Sequence, residues 1–145
     1  MTETKYGKYV VKKPSRYTLA HGVEAPKEEV TGRTPSNIFM DRDLVAESDK
    51  HVAVMRFQGV PHPNPFIKVH RHPYDEILMF IGHDPEDVEY LGAEIELYLG
   101  EDMEMHLLTT STTIYLPKGL KHLLKHRSVE KPHTLIAISM SGEYR

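Results

Sequence analysis

From Ile38 onward the chain is a succession of short segments in which apolar residues recur at every second position, separated by Gly, Pro, Asn, Asp and Ser. A period of two sends successive side chains to opposite faces, which is the pattern of a strand, and the intervening residues are those that turns require. The segments run Val52 to Gln58, Phe66 to His72, Glu76 to Ile81, Glu94 to Leu99, Met103 to Leu108, Thr112 to Leu116, Lys121 to Arg127 and His133 to Met140. Eight short strands predict an all-β fold, a single antiparallel jelly-roll barrel. A short helix over Asp41 to Asp49, capped by Asp41, is the one helical expectation. Gly82 to Asp87 reads as a loop. Residues 1–36 are rich in Pro, Lys, Glu and Thr, with Pro14, Pro26 and Pro35 as punctuation. They predict an extended arm that packs on or exchanges with a barrel domain over 37–145.

At 145 residues the chain has the size of one domain, and it can bury a core without covalent staples. There is no cysteine, so any metal must be held by nitrogen and oxygen. Eighteen basic and twenty-one acidic residues leave a formal charge of −3. That balance argues against a general nucleic-acid surface. No apolar stretch approaches a membrane span, and the polar N-terminus lacks a signal-like apolar run, so the expected location is cytoplasmic. The basic run from Lys118 to Arg127 alternates with apolar residues, and its Lys121, Lys125 and Arg127 share the face opposite His122. This is the pattern of a solvated outer strand face.

The chemistry concentrates in the segment VHRHPYDEI and in LPKGLKHLL, about fifty residues later. In a strand, His70 and His72 project on one face roughly 6.6 Å apart, close enough for two imidazoles to converge on one ion. Pro73 interrupts the ladder, and the turn after it brings Glu76 back to the same side. His122 follows the turn Pro117-Lys118-Gly119 and arrives from a different strand. Three neutral nitrogens and one carboxylate would leave positions open on an octahedral ion, as a catalytic site needs. Chance is the competing explanation, because the chain holds ten histidines and a lone one is more often a surface or satisfied core residue than a ligand.

The run His70-x-His72-x-x-x-Glu76 leading to Gly82, followed by Pro117-x-Gly119-x-x-His122, resembles the two signature motifs of the cupin family. The resemblance spans Phe66 to His126 and implies a small jelly-roll barrel with a metal in its mouth. It departs from the family pattern at Asn64 and Ser111, where Gly is usual, and at His126, where Asn is usual. The spacing from Glu76 to Gly82 is one residue short. None of these departures falls on the four ligands. By this resemblance His70, His72, Glu76 and His122 hold one divalent transition ion per subunit, with Fe, Mn, Ni, Co and Zn all compatible.

Strand parity extends the site. His126 shares the inward face with His122 and Leu124, where it serves as acid or base near neutral pH, as a hydrogen-bonding partner, or as a core histidine held by a carbonyl. Tyr74, in the turn before Glu76, is placed to donate to an oxygen at the metal or else to face solvent. Leu78 and Phe80 share the face of Glu76 and are expected against a substrate, as is Arg56 if its face of the strand turns inward. Lys68 has the parity of the two histidines; a solvent-directed side chain is the plainer reading. Ile77, Met79 and Ile81 make the opposite face of that strand apolar too, which calls for cover by the arm or by a second copy in a homodimer. The function expected is a metal-dependent enzyme, of dioxygenase, isomerase, decarboxylase or lyase type, acting on a small polar or acidic metabolite. The alternative is a non-catalytic metal- or ligand-binding or sensing module on the same barrel.

Overall fold

In the computed structural model, residues 4–16 and 30–143 are described. Two antiparallel sheets make the fold. The larger runs β1 (Ser15–Arg16), β3 (Asn37–Met40), β4 (His51–His62), β10 (His133–Ser139), β5 (Glu76–Gly82) and β8 (Thr112–Leu116), with β2 (Thr31–Arg33) also paired to β4. The smaller runs β7 (Glu104–Thr110), β6 (Tyr90–Leu99) and β9 (His122–Val129). The fold is thus all-β, antiparallel and of jelly-roll type, open as a sandwich where a closed barrel was expected. The described residues include one 3₁₀ turn, Gly7–Tyr9. None of their helices is long and apolar enough to cross a membrane.

The alternation read in the sequence is what packs the sheets. On β4, Ala53, Met55 and Phe57 are buried while Val52, Val54 and Arg56 are not. Leu78 and Phe80 on β5, Leu135 on β10, and Ile95 and Leu97 on β6 join the same core. Phe57, Phe80 and Ile95 are completely buried, and each contributes about 1.5–3 kcal/mol relative to exposure. β10 lies between β4 and β5, and its register sets Ser139 opposite both His51 and Glu76.

Three expectations change. Phe66 to His72 forms no strand: Pro65 and Pro73 bracket it without N–H donors, and only His70 pairs, exchanging backbone hydrogen bonds of 3.2 and 2.9 Å with His122. Asp41 to Asp49 forms no helix. Asp41 does act as a cap, its Oδ1 accepting from Leu44 N at 3.0 Å, but the segment stops after isolated turns and Arg42 N is drawn to the Gly142 carbonyl at 2.9 Å. β6 begins at Tyr90 rather than Glu94, because Gly92 breaks the apolar alternation. Gly92 has φ +76°, and its carbonyl accepts from Glu130 N and Lys131 N at 2.8 and 2.9 Å.

Within the expected arm, β1 pairs with β3 and β2 with β4, so its described parts extend the large sheet. Its residues 1–3 and 17–29 lie outside the described ones. On the outer face of β5, Ile77 and Met79 are half-buried and Ile81 is 37% exposed. On β9, Lys125 and Arg127 point outward, and Arg127 pairs with Glu96 at 2.9 Å.

Candidate metal centre

His70 and His72 come from the proline-bounded segment, Glu76 from the first residue of β5, and His122 from the first of β9. Two turns are fastened to each other to hold them there. The Asp75 carboxylate accepts from the Tyr115 hydroxyl and from Lys118 N at 2.8 Å, and Gly119 N donates to the His72 carbonyl at 2.8 Å. The Pro73 turn and the Pro117 turn therefore carry their histidines into register with one another.

One ligand atom from each of His70, His72 and His122 lies within 4.8 Å of the others. Each imidazole meets an oxygen at Nδ1: the Lys68 carbonyl at 2.8 Å for His70, the Tyr74 hydroxyl at 3.3 Å for His72, and the Leu120 carbonyl at 2.9 Å for His122. A proton on Nδ1 of His70 and His122 is fixed by those carbonyls, which leaves Nε2 as the lone-pair nitrogen. Glu76 Oε1 stands 4.0 Å from His72 Nε2 and 3.8 Å from His122 Nε2. These separations are too long for hydrogen bonds and slightly wider than the roughly 3–3.5 Å between neighbouring ligands around an ion with bonds of about 2.1 Å.

Electrostatics point the same way. Burial holds His122 down at a pKa of about 4, an effect partly opposed by the Leu120 carbonyl and reinforced by His70. It is neutral, as a ligand must be, at any ordinary pH. Burial pushes the Glu76 carboxyl up to about 7, against the pull of the Ser139 hydroxyl, which donates to Oε2 at 3.0 Å. A buried carboxyl beside the neutral His122 ring has no Lys or Arg within ion-pair distance among the described residues, and a divalent ion would favour its ionised form. The donor set is thus compatible with such an ion.

A cavity with about 90 Å³ of space for water-sized atoms reaches the cluster. His70, Glu76 and His122 form part of its wall, and the remainder is mostly apolar, with Met55, Leu78 and Leu135 among the contributors.

The other expected residues separate into those near the cluster and those elsewhere. Leu78 lines the cavity, whereas Phe80, two residues further along β5, is in the closed core. Arg56 is on the exposed face of β4, beside a different depression near His83 and Tyr90. Its parity with Val52 and Val54 is as read, but the inward face belongs to the odd-numbered residues. Lys68 is exposed. Tyr74 is buried, not solvent-facing, its ring stacked on His72 at 5.0 Å and 8°, with its hydroxyl directed to His72 Nδ1.

His126 faces inward but lies outside the cavity wall, within an aromatic layer: Phe57 at 4.4 Å, His133 at 5.6 Å, Phe66 at 6.3 Å and Phe80 at 6.4 Å. Neither ring nitrogen has a hydrogen-bond partner among the described residues. Burial, then the neighbouring His133, holds its pKa down at about 3. That shift favours the neutral ring at ordinary pH. Asn64 pins its backbone in two directions, donating to the His126 carbonyl at 2.7 Å and accepting from its N–H at 3.1 Å.

Two further residues at the site were not foreseen. Ser139 reaches Glu76 only through the β10–β5 register, which no local pattern encodes. Arg33 enters the cavity wall from β2, within the segment read as an arm.

No protein-family model matches the chain, and no curated protein matches it. Among solved structures it is similar to the iron(II) form of HppE, at 17% identity and TM-score 0.49 over 72% of this chain and 48% of that one. It is also similar to a candidate mannose-6-phosphate isomerase of Ralstonia eutropha JMP134, at 11% identity and TM-score 0.48 over 75% and 84%. A conserved Streptococcus pyogenes protein of unknown function gives 16% identity and TM-score 0.46 over 78% and 75%. The chain spans about half the length of the HppE structure. At these scores the likenesses say nothing about chemistry, and the case for a metal rests on the atoms described above.

Proposed function

We propose that this chain is a metal-dependent enzyme acting on a small polar or acidic metabolite, with one divalent transition ion held by Nε2 of His70, His72 and His122 and by the Glu76 carboxylate. The observation that carries this reading is the gathering of three imidazoles within 4.8 Å, each with Nδ1 engaged by an oxygen. When bound, the ion supplies Lewis acidity and a template for an oxygen-bearing substrate. The chain's own residues do the rest. The carbonyls of Lys68 and Leu120 fix two imidazoles in one tautomer and orientation, and Tyr74 stacks beneath the third. Ser139 steadies Glu76, and the apolar wall limits water around the reacting groups.

The test is element analysis of the purified protein and of His122→Ala. The expectation is one divalent ion per chain in the parent and loss of that ion in a variant that keeps its β-rich spectrum. Unchanged stoichiometry in the variant would refute the ligand assignment. Oxygen uptake with Fe(II) and a panel of catechols, keto acids and diketones tests the dioxygenase branch. Proton exchange into carbonyl compounds tests isomerase or lyase chemistry. Absence of turnover in a fully loaded protein would favour the binding-module alternative.

A further inference from the structure

Arg33 is the cationic side chain in the wall of the cavity that reaches the histidine cluster. Its guanidinium carbon sits 4.7 Å above the Phe66 ring, and Nη1 donates to the Thr34 carbonyl at 2.9 Å. Nε is buried and has no hydrogen-bond partner, and no carboxylate pairs with the guanidinium among the described residues. A half-buried guanidinium normally spends its donors, because burying an unsatisfied charged donor is costly. Here Nη1 is used, Nε is closed off, and the ring of Phe66 fixes the plane, which leaves the guanidinium in the cavity wall as a charge with no carboxylate beside it among the described residues. A guanidinium so placed favours an oxyanion as the group that enters from the cavity.

The rest of the wall tells what the anion is attached to. Met55, Ile67, Leu78, Leu124, Leu135 and Ala137 make up most of it, with Ser36 and His51 as its other polar members, so the body of a ligand reaching from Arg33 toward the cluster lies largely on hydrocarbon. A neutral, hydroxyl-rich metabolite would leave its polar groups unpaired along that surface. We propose that the ligand of this cavity is a small amphipathic carboxylic acid, its carboxylate paired with Arg33 and its aliphatic body on the apolar wall. This rests on the metal-enzyme reading above and narrows it from polar or acidic metabolites in general to acids with an apolar body. It makes Arg33 the residue that selects for charge.

The test uses hexanoate and its neutral counterpart hexanamide as probes, with calorimetric titration of full-length protein both zinc-loaded and chelator-treated. Hexanoate is expected to bind about 10- to 100-fold tighter than hexanamide, the range for hydrogen bonds to a charged group. Arg33→Gln is expected to abolish that preference, and Arg33→Lys to recover part of it, with zinc stoichiometry unchanged in both. Equal binding of the two probes by the parent protein, no hexanoate binding at millimolar concentration, or an undiminished preference in Arg33→Gln would overturn the proposal. The probe comparison on the parent needs no variant to fold. A protein that takes up no metal but prefers hexanoate through Arg33 would sink the metal reading alone. Stoichiometric zinc without Arg33 dependence would sink this inference alone.

Discussion

Replacing His126 by Leu should make the protein less sensitive to acid. His126 is 2% exposed, packed between Phe57 and His133, with both ring nitrogens lacking partners among the described residues. Its pKa in the folded state is about 3, against an ordinary 6.5 in the unfolded chain. Between those values the unfolded chain binds the proton and the native one does not, so lowering the pH favours unfolding. The stability is complete above about pH 6.5 and drains away as the pH falls toward 3. At pH 5 the unfolded group is 1.5 units below its pKa and the folded group is still neutral, which at 1.36 kcal/mol per unit costs about 2 kcal/mol. Leucine is close in volume and does not titrate, and it removes two buried polar atoms, so stability at pH 7 should change little. Urea unfolding of parent and variant at pH 7 and pH 5, both with the same metal content, isolates the effect. The variant should lose about 2 kcal/mol less than the parent over that interval. His133, held down at about 4 by its own burial, continues to titrate in both proteins and cancels in the comparison. Equal losses would mean that His126 is solvated or protonated in the native state, and the aromatic layer described here would be wrong.

His72→Ala, like His122→Ala, should lose metal while keeping the far-ultraviolet circular dichroism of the parent, since the proposed ligands are not in the main core cluster. Ser139→Ala deletes the hydrogen bond to Glu76 Oε2 and should weaken zinc binding about 10- to 100-fold in competition with a chelator, without altering stoichiometry at saturation. Ile95→Ala empties a site that is completely buried on β6 and should cost about 2–5 kcal/mol by denaturant unfolding. Val88→Ala, at an 81% exposed loop position, should stay within about 0.5 kcal/mol in the same assay.

How much of this could be read beforehand follows from what a period of two encodes. Alternation on β4, β5 and β9 separates two faces correctly, so His122 and His126 were paired inward and Lys125 and Arg127 outward. Alternation does not say which face is the core, and on β4 that ambiguity sent Arg56 to the wrong side. Nor does it say how deep along a strand a residue lies. Leu78 and Phe80 share a face, but two residues of rise, roughly 6.6 Å, separate the cavity wall from the closed core. The four proposed ligands were legible because their types are unusual and each stands beside a proline turn. Ser139 and Arg33 were not, because each is set by pairing between strands distant in sequence: β10 on β5 for one, β2 on β4 for the other. The segment holding His70 and His72 kept its geometry without its expected ladder, since the bridge at His70 and the bond from Gly119 N to the His72 carbonyl hold it in place.

The most direct test of the metal centre is crystallographic: protein loaded with zinc, with anomalous scattering collected on both sides of the zinc edge. The account predicts one anomalous peak per chain, bounded by Nε2 of His70, His72 and His122 and by the Glu76 carboxylate. A peak anywhere else, or these four side chains ordered around no peak at all in crystals soaked to saturation, would contradict it.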